Sequence, residues 1–260
     1  MKLRCCLYLL LLLLPLGARA AAVASAVPVL HALNQSLLEG TGLEARYLPP
    51  ARLPVNRIGG WLGKVDAGHL APAEALLTIE SVWPGLELYP LLRQLDIRVV
   101  PVDVASEIAP GGARVTQRPG LTTPDYFWLD FANLTLMTNV AARDLARLWP
   151  EQAGLIEANR LALQRHIQQQ AMRLDELLLS HDIGSVALMD ERLTPLAQAM
   201  ALPLVAPESA DLLLAAGKAE ADTAAVWELD PLARPQRRNL GGWLTSQVDA
   251  LEHALAGAGS

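Results

Sequence analysis

Short apolar runs alternate with helical patterns along the first half of the chain. Strands are predicted at residues 22–27, 43–48, 75–79 and 97–102, and helices at residues 29–38 and 86–95. Gly40 and Gly42 follow the first helix and are typical of a helix end. Strands that alternate with helices at this spacing favour a parallel sheet with crossover helices.

Two long amphipathic patterns occupy the middle of the chain. Asp130 is a candidate N-cap for the first, because an apolar residue then recurs every three or four positions up to Leu148. Pro150 and Glu151 open the second, which is predicted to continue to about Ser180. A helix of about thirty residues is roughly 45 Å long, so it must cross one large domain or join two smaller ones. A coiled coil is disfavoured, because sustained heptads with charged flanks are absent.

The alternation resumes after Gly184. Strands are predicted at residues 185–188, 202–205 and 224–229, and helices at residues 193–200, 210–216 and 242–255. The expected fold class is therefore α/β, with two three-layer α/β lobes joined by one long backbone helix. The predicted boundaries are 21–149 for the N-terminal lobe, 150–181 for the linking helix and 182–260 for the C-terminal lobe.

The N-terminal segment has the pattern of an export signal. Lys2 and Arg4 precede an apolar run at residues 7–14, and the small-x-small pattern of residues 18–20 follows it. The run is shorter than the roughly 20 residues of a membrane-spanning helix. We therefore expect a cleavable signal peptide at residues 1–20 and a periplasmic location, with an N-terminal membrane anchor as the alternative. A lipoprotein is disfavoured, because Cys5 and Cys6 precede the apolar run.

Charge and cysteine content limit the kinds of partner and metal site expected of the mature chain. Removal of residues 1–20 takes away Lys2, Arg4 and Arg19 and no acid, so the formal net charge moves from −6 to −9. A chain this acidic is not expected to bind nucleic acid. Because both cysteines are removed, the mature chain has no disulfide and no thiolate metal site. It is expected to be a monomer.

The motifs of several enzyme classes are missing from the sequence. It contains no Gly-x-Ser-x-Gly motif, no Gly-x-Gly-x-x-Gly motif after a strand and no pair of histidines four residues apart. The five histidines are dispersed along the chain. No set of nucleophile and base is visible, so the chain is not expected to be an enzyme.

Several segments of the chain have recognisable motifs. They are residues 126–130, 149–151 and 156–159 in the middle, and residues 228–232, 243–244 and 248–251 near the end. These segments resemble the metal-binding proteins of zinc and manganese ABC transporters, the TroA-like group (cluster A-I). Residues 75–84 are similar to a divergent branch of the group. The resemblance covers nearly all of the mature chain at low identity. It implies two α/β lobes joined by one rigid helix, in agreement with the pattern above.

The resemblance also implies a metal site of three histidines and one carboxylate in the cleft between the lobes. Tyr126 and Met189 stand where two of these histidines are expected, and the third is missing near Asn56 and Arg57. The carboxylate, Asp230, is retained. Because neutral imidazoles are the usual zinc ligands, this substitution is expected to remove most of the zinc affinity.

Other side chains of the chain could replace the missing ligands. The candidate metal ligands are Asp230, Asp190 and His69, and Glu191 and Asp125 could extend a carboxylate set. Oxygen ligands suit manganese, magnesium or calcium better than zinc. The alternative is that these acids are solvated rim residues or helix caps, since acids at the start of a helix are stabilised without a metal.

An organic ligand is a second candidate for the same cleft. A cation, aromatic walls and a carboxylate would be supplied by Arg57, Trp61, Tyr126, Trp128 and Asp230. A metal chelate would suit such walls better than a bare ion. Ordinary core packing is the alternative role of each tryptophan.

The functional hypothesis is a periplasmic solute-binding protein of an ABC-type metal or metal-chelate transport system with a degenerate ligand set. Its partners would be a permease in the inner membrane and a divalent metal such as zinc or manganese as cargo. The alternative is a ligand-free accessory or interaction protein on the same scaffold.

Overall fold

Two parallel β-sheets, one formed before a long helix in the chain and one after it, define the architecture of the residues that the structure describes. The structure is a computed structural model, and it describes residues 20–108, 110–121, 124–219 and 225–258. Apart from Ala20, the predicted signal peptide lies outside these residues.

The N-terminal sheet has four parallel strands in the order β2-β1-β3-β4. The strands are β1 Ala22–Ser25, β2 Glu44–Tyr47, β3 Ala75–Thr78 and β4 Val100–Asp103. The helices between them are α1 Pro28–Leu37, α2 Val55–Leu62 and α3 Tyr89–Leu95. All residues of the central strands β1 and β3 are buried, as is typical of parallel strands covered on both faces.

The C-terminal sheet has three parallel strands in the order β5-β6-β7. The strands are β5 Val186–Leu188, β6 Leu212–Ala216 and β7 Ala225–Leu229. This half also contains helices α6 Thr194–Ala199 and α7 Leu240–Ala258. The predicted α/β alternation is thus present in both halves of the chain.

Two long helices connect the sheets. Helix α4 Phe131–Leu148 begins at the predicted N-cap, because Asp130 accepts hydrogen bonds from the backbone N–H groups of Ala132 and Asn133 at 2.7 and 3.4 Å. Helix α5 Ala153–Ser180 has 28 residues and contacts α1, α4 and α7. The predicted fold class is confirmed, while the lobe boundaries stay a prediction. Of the helices described, none is long and apolar enough to cross a bilayer.

Two of the predicted elements in the C-terminal half are wrong. Residues 210–216 were expected to form a helix, but they contain strand β6, which lies in the middle of its sheet with four of its five residues buried. A short apolar run has no helical or strand periodicity of its own, so the tertiary position decides its conformation. Residues 202–205 were expected to form a strand, but here Leu204 makes only an isolated bridge to Val186.

Helix α2 was not predicted, because two adjacent glycines interrupt its helical pattern. Gly59 explains how the helix packs. A Cβ atom at this position would lie 2.7 Å from the carbonyl oxygen of Gly85, in the 3₁₀ helix Pro84–Leu86. Only glycine therefore permits α2 to approach this turn so closely.

Burial along α5 predicts unequal effects of the same substitution at two of its leucines. Leu174 is 3% exposed and Leu161 is 42% exposed. Leu174→Ala should lower the free energy of unfolding by about 2–4 kcal/mol, because it leaves a cavity in the core. Leu161→Ala should lower it by less than about 0.5 kcal/mol. Urea denaturation of both variants measures the difference, and equal losses would contradict this orientation of α5.

Candidate functional site

An open cleft of about 410 Å³ lies at the carboxyl ends of β5, β6 and β7. Residues that follow each of these strands line it, and the segment before α2 forms the opposite wall. Residues central to its chemistry are Asn56, Tyr126, Arg192, Gly217, Asp230 and Arg234. The carboxyl ends of parallel strands are the usual ligand position in α/β proteins, and the volume is that of a small-molecule site.

Asp230 organises the turn that leaves β7. Its Oδ1 accepts a hydrogen bond from the backbone N–H of Leu232 at 3.0 Å, and its Oδ2 accepts one from the side-chain amide of Gln236. Leu232 is fully buried and has a φ of 53°, a left-handed conformation that costs about 1–2 kcal/mol for a residue with a Cβ. The carboxylate thus stabilises a strained turn that leads directly to Arg234.

The same turn crosses to the N-terminal half of the molecule. The indole N–H of Trp128 donates to the carbonyl of Pro231 at 3.0 Å. The backbone N–H of Val55 donates to the carbonyl of Ala233 at 2.8 Å. The bond between Val55 and Ala233 joins the two walls of the cleft, and the bond from Trp128 supports Pro231 from beneath the lining.

Arg192 is held between a carboxylate and an aromatic ring. Asp190 caps the 3₁₀ helix Glu191–Leu193 and accepts hydrogen bonds from Nε and Nη2 of Arg192 at 3.0 and 2.7 Å. The guanidinium carbon lies 4.7 Å from the centroid of the Tyr126 ring, within the range of a cation–π contact. The orientation of this cation is therefore set from two sides.

The pKa shifts report the same surroundings. Burial raises the pKa of the Tyr126 hydroxyl; the charge of Arg192 opposes this rise, and those of Asp190 and Asp230 add to it. The hydrogen bonds from Arg192 lower the pKa of Asp190. Burial raises the pKa of Asp230, although the N–H of Leu232 and the charge of Arg234 oppose the rise. The two carboxylates therefore respond oppositely to their environments.

Three of the residues proposed from the sequence meet at this cleft. Tyr126 and Asp230 line it, and Asp190 is joined to it through Arg192. Trp128 is fully buried beneath it, with its ring in edge contact with Tyr126 at 5.5 Å. Its indole supports the base of the cleft through Pro231.

The other proposed residues lie outside the lining that the described residues form. Arg57 is exposed on α2, and Trp61 on the same helix packs partly buried against the hydrophobic core. His69 is exposed on the 3₁₀ helix Ala67–His69, which packs against α3. Glu191 is exposed beside Arg192. Asp125 is buried, and Nε and Nη2 of Arg118 donate to it at 2.6 and 2.8 Å.

The carboxylates of the cleft are already engaged as hydrogen-bond acceptors. Asp190 accepts from Arg192, and Asp230 accepts from Leu232 and Gln236. Within the described part of the chain, no three His, Cys, Asp or Glu side chains are grouped so that they could hold a metal ion. Zinc sites commonly use three or four such protein ligands. The cleft instead offers guanidinium donors, an aromatic ring and one half-buried carboxylate.

Arg192 and Arg234, the two cations of the described lining, are not among the residues predicted from the sequence. Each follows a proposed acid closely, Arg192 two residues after Asp190 and Arg234 four residues after Asp230. An Asp–x–Arg spacing in a turn is a usable signal, because the two side chains can pair. Arg57 lies close to the position of a missing histidine in the sequence, but the structure places it exposed on α2 and outside this lining.

Comparison with known proteins finds a shared fold without a close sequence relative. No family model and no curated protein matches this sequence. A crystal structure of ZnuA is 15% identical and covers 91% of this chain and 98% of its own, with a TM-score of 0.59. A Zn(II)-bound mutant of AdcAII from Streptococcus pneumoniae is 13% identical over 91% of this chain and 100% of its own, with a TM-score of 0.61.

A periplasmic metal-binding protein from Candidatus Liberibacter asiaticus is similar to the same degree. It is 15% identical and covers 89% of this chain and 100% of its own, with a TM-score of 0.61. Identities this low establish the fold alone. The chain has the two-lobed α/β fold of TroA-like binding proteins, with a long connecting helix.

The opposite pKa shifts of Asp230 and Asp190 predict opposite effects of pH on two Asp→Asn variants. The raised pKa of Asp230 means that the fold favours the protonated carboxyl over the carboxylate, so the wild type gains stability as the pH falls through the raised pKa. Relative to wild type, Asp230→Asn should therefore become less stable between pH 7 and pH 4.

Asp190→Asn is the matched control. The lowered pKa of Asp190 contributes stability above its unfolded value of 3.8 that is lost as the pH falls below it. Its deficit relative to wild type should therefore shrink on acidification. Urea denaturation at pH 7, 4 and 3 measures these differences, because the contribution of Asp190 is lost only below pH 3.8. Changes of the same sign in both variants between pH 7 and pH 3 would contradict the assignment.

Proposed function

We propose that this protein is the solute-binding component of an ABC-type transport system for a metal or a metal chelate. It would bind its cargo in the periplasm and deliver it to a permease in the inner membrane. The observation that carries the proposal is the cleft at the carboxyl ends of β5, β6 and β7, closed at its base by bonds between the two halves. This cleft lies in the fold of proteins whose names describe periplasmic metal binding.

The chemistry of the cleft favours binding over catalysis. Asp190 and Asp230 each accept hydrogen bonds that hold neighbouring groups in place, so neither is poised as a base. Tyr126 is 4% exposed and its pKa is raised by burial, so its hydroxyl is protonated at neutral pH. Fixed donors around an open volume suit recognition of a solute.

A metal that arrives with its own ligands fits this cleft better than a bare ion. A volume of about 410 Å³ is in the range of small-molecule sites and far exceeds what one coordinated ion requires. A chelated metal also brings its own coordination shell, so Tyr126 and Met189 need not replace the imidazoles of the TroA-like pattern. The altered ligand set would then suit a chelated metal instead of a bare metal ion.

The location in the periplasm rests on the sequence. Residues 1–20 have the three regions of a signal peptide. When the chain is expressed with this segment, N-terminal sequencing of protein from the periplasmic fraction should begin within two residues of Ala21. A chain that retains residues 1–20 and sediments with membranes would instead support the membrane-anchor alternative.

The binding role is tested on protein purified from the periplasm without denaturation. Native mass spectrometry with elemental analysis should detect a metal or a metal-containing ligand. Thermal unfolding should then be measured with Zn²⁺, Mn²⁺ and ferric citrate, each compared with protein treated with a chelator. A specific ligand at 100 times its Kd should stabilise the fold by about 2.7 kcal/mol. No bound species and no shift with any of them would contradict the proposal and favour a ligand-free accessory role.

A further inference from the structure

We infer that the cleft recognises its cargo as an anion, through the guanidinium groups of Arg192 and Arg234. The ligand class is a metal chelate that presents carboxylate oxygens to the protein. This inference rests on the proposed function, because it specifies what the same cleft binds.

Arg192 presents one edge of its guanidinium group for a ligand. Asp190 occupies the edge formed by Nε and Nη2, and the ring of Tyr126 supports one face. Nη1 has no acceptor among the described residues. Nη1 and Nη2 together therefore form a second pair of donors, a fork that is open to a ligand. This fork matches the two oxygens of a carboxylate. The side chain is 37% exposed, so a ligand in the cleft can reach it.

Arg234 supplies a second guanidinium group to the same cleft. Its Nε donates to the carbonyl of Arg52 at 3.0 Å, which fixes the position of the side chain. Within the described residues, neither Nη1 nor Nη2 donates to a protein acceptor. Because the turn stabilised by Asp230 holds the backbone of Arg234, this cation is also positioned before a ligand binds.

The two arginines bring positive charge to the cleft of an acidic chain. The whole chain has a formal net charge of −6, yet two permanent cations line this one cleft. Of the nearby acids, Asp190 is committed to Arg192, and the oxygens of Asp230 face the Leu232 N–H and the Gln236 amide. Both guanidinium groups would repel a bare divalent cation, and Asp230 is the one carboxylate of the described lining that would attract it. An anionic chelate would complete their hydrogen bonds.

The two sets of bonds also explain why Asp190 and Asp230 are present in an anion site. Each carboxylate holds a cation-bearing segment in place: Asp190 directly through its ion pair, and Asp230 through the turn before Arg234. Pre-organised donors bind more tightly because less side-chain entropy is lost on binding. The acids therefore act as positioning residues for the two arginines.

Direct binding of defined probes tests the inference. Isothermal titration should be done with citrate, ferric citrate, Zn²⁺–citrate and ZnCl₂ on wild type, Arg192→Gln and Arg234→Gln. The matched control is Arg98→Gln, which removes an arginine that is 85% exposed, is paired with Asp96 and lies outside the cleft lining. Thermal unfolding of each variant without ligand establishes that it is folded.

At least one citrate species should bind to the wild type, and its Kd should rise with NaCl concentration. Arg192→Gln and Arg234→Gln should each raise this Kd by about 10- to 100-fold, the loss expected for a hydrogen bond to a charged group. Arg98→Gln should change it by less than about twofold. Arg192→Lys, which keeps the charge without the fork, should bind with an intermediate Kd.

Failure of the anion inference can be distinguished from failure of the transport proposal. If ZnCl₂ binds and no citrate species does, or if both arginine variants bind citrate as tightly as wild type, the anion inference is overturned while the transport proposal stands. If no probe binds and the purified protein holds neither a metal nor a ligand, both are overturned.

Discussion

The packing of helix α5 against helices from both halves of the chain is the constraint on which the rest of the structure depends. Its 28 residues span about 42 Å, and α1, α4 and α7 all rest on it. Buried leucines and isoleucines provide the apolar contact, and polar bonds set the register. The side-chain amide of Asn159 donates to the carbonyls of Leu37 and Glu39 at 3.0 and 2.9 Å, and Nε2 of His166 lies 2.9 Å from Oγ1 of Thr245. Because α5 contacts helices from both halves, it links the two halves whose residues line the cleft.

Asp230 and Tyr126 stand where the resemblance implies metal ligands, and the structure gives both of them other contacts. In the TroA-like pattern Asp230 is the expected metal ligand, whereas here its two oxygens stabilise the turn through residue 236. Tyr126, at the position of an expected histidine, supports the guanidinium group of Arg192. A phenol ring at this position contacts a cation, whereas an imidazole would offer a nitrogen to a metal. The surroundings are consistent with recognition of a ligand larger and more negative than a metal ion.

Elements with a local signal could be predicted from the sequence, whereas elements that depend on distant contacts could not. The strands at 22–27 and 75–79 and the two long helices were predicted because their apolar periodicity or their caps are visible within a few residues. The strand β6 was predicted as a helix because the run of Leu212 to Ala216 has no periodicity. Helix α2 was missed because Gly59 and Gly60 look unfavourable for a helix in isolation. Contact with Gly85 shows why glycine is needed there.

The sequence by itself determined two α/β halves and a long connecting helix, and the resemblance singled out Tyr126 and Asp230, which line one cleft. Apolar periodicity and capping are properties of neighbouring residues, so they can be read without a structure. Only the tertiary structure decided that Trp128 supports the base of the cleft and that Arg192 and Arg234 are its cations. The bond from Trp128 to Pro231 joins residues 103 positions apart, and the bond from Arg234 to Arg52 joins residues 182 positions apart. No local pattern encodes such contacts, because they exist only after α5 has brought the two sheets together.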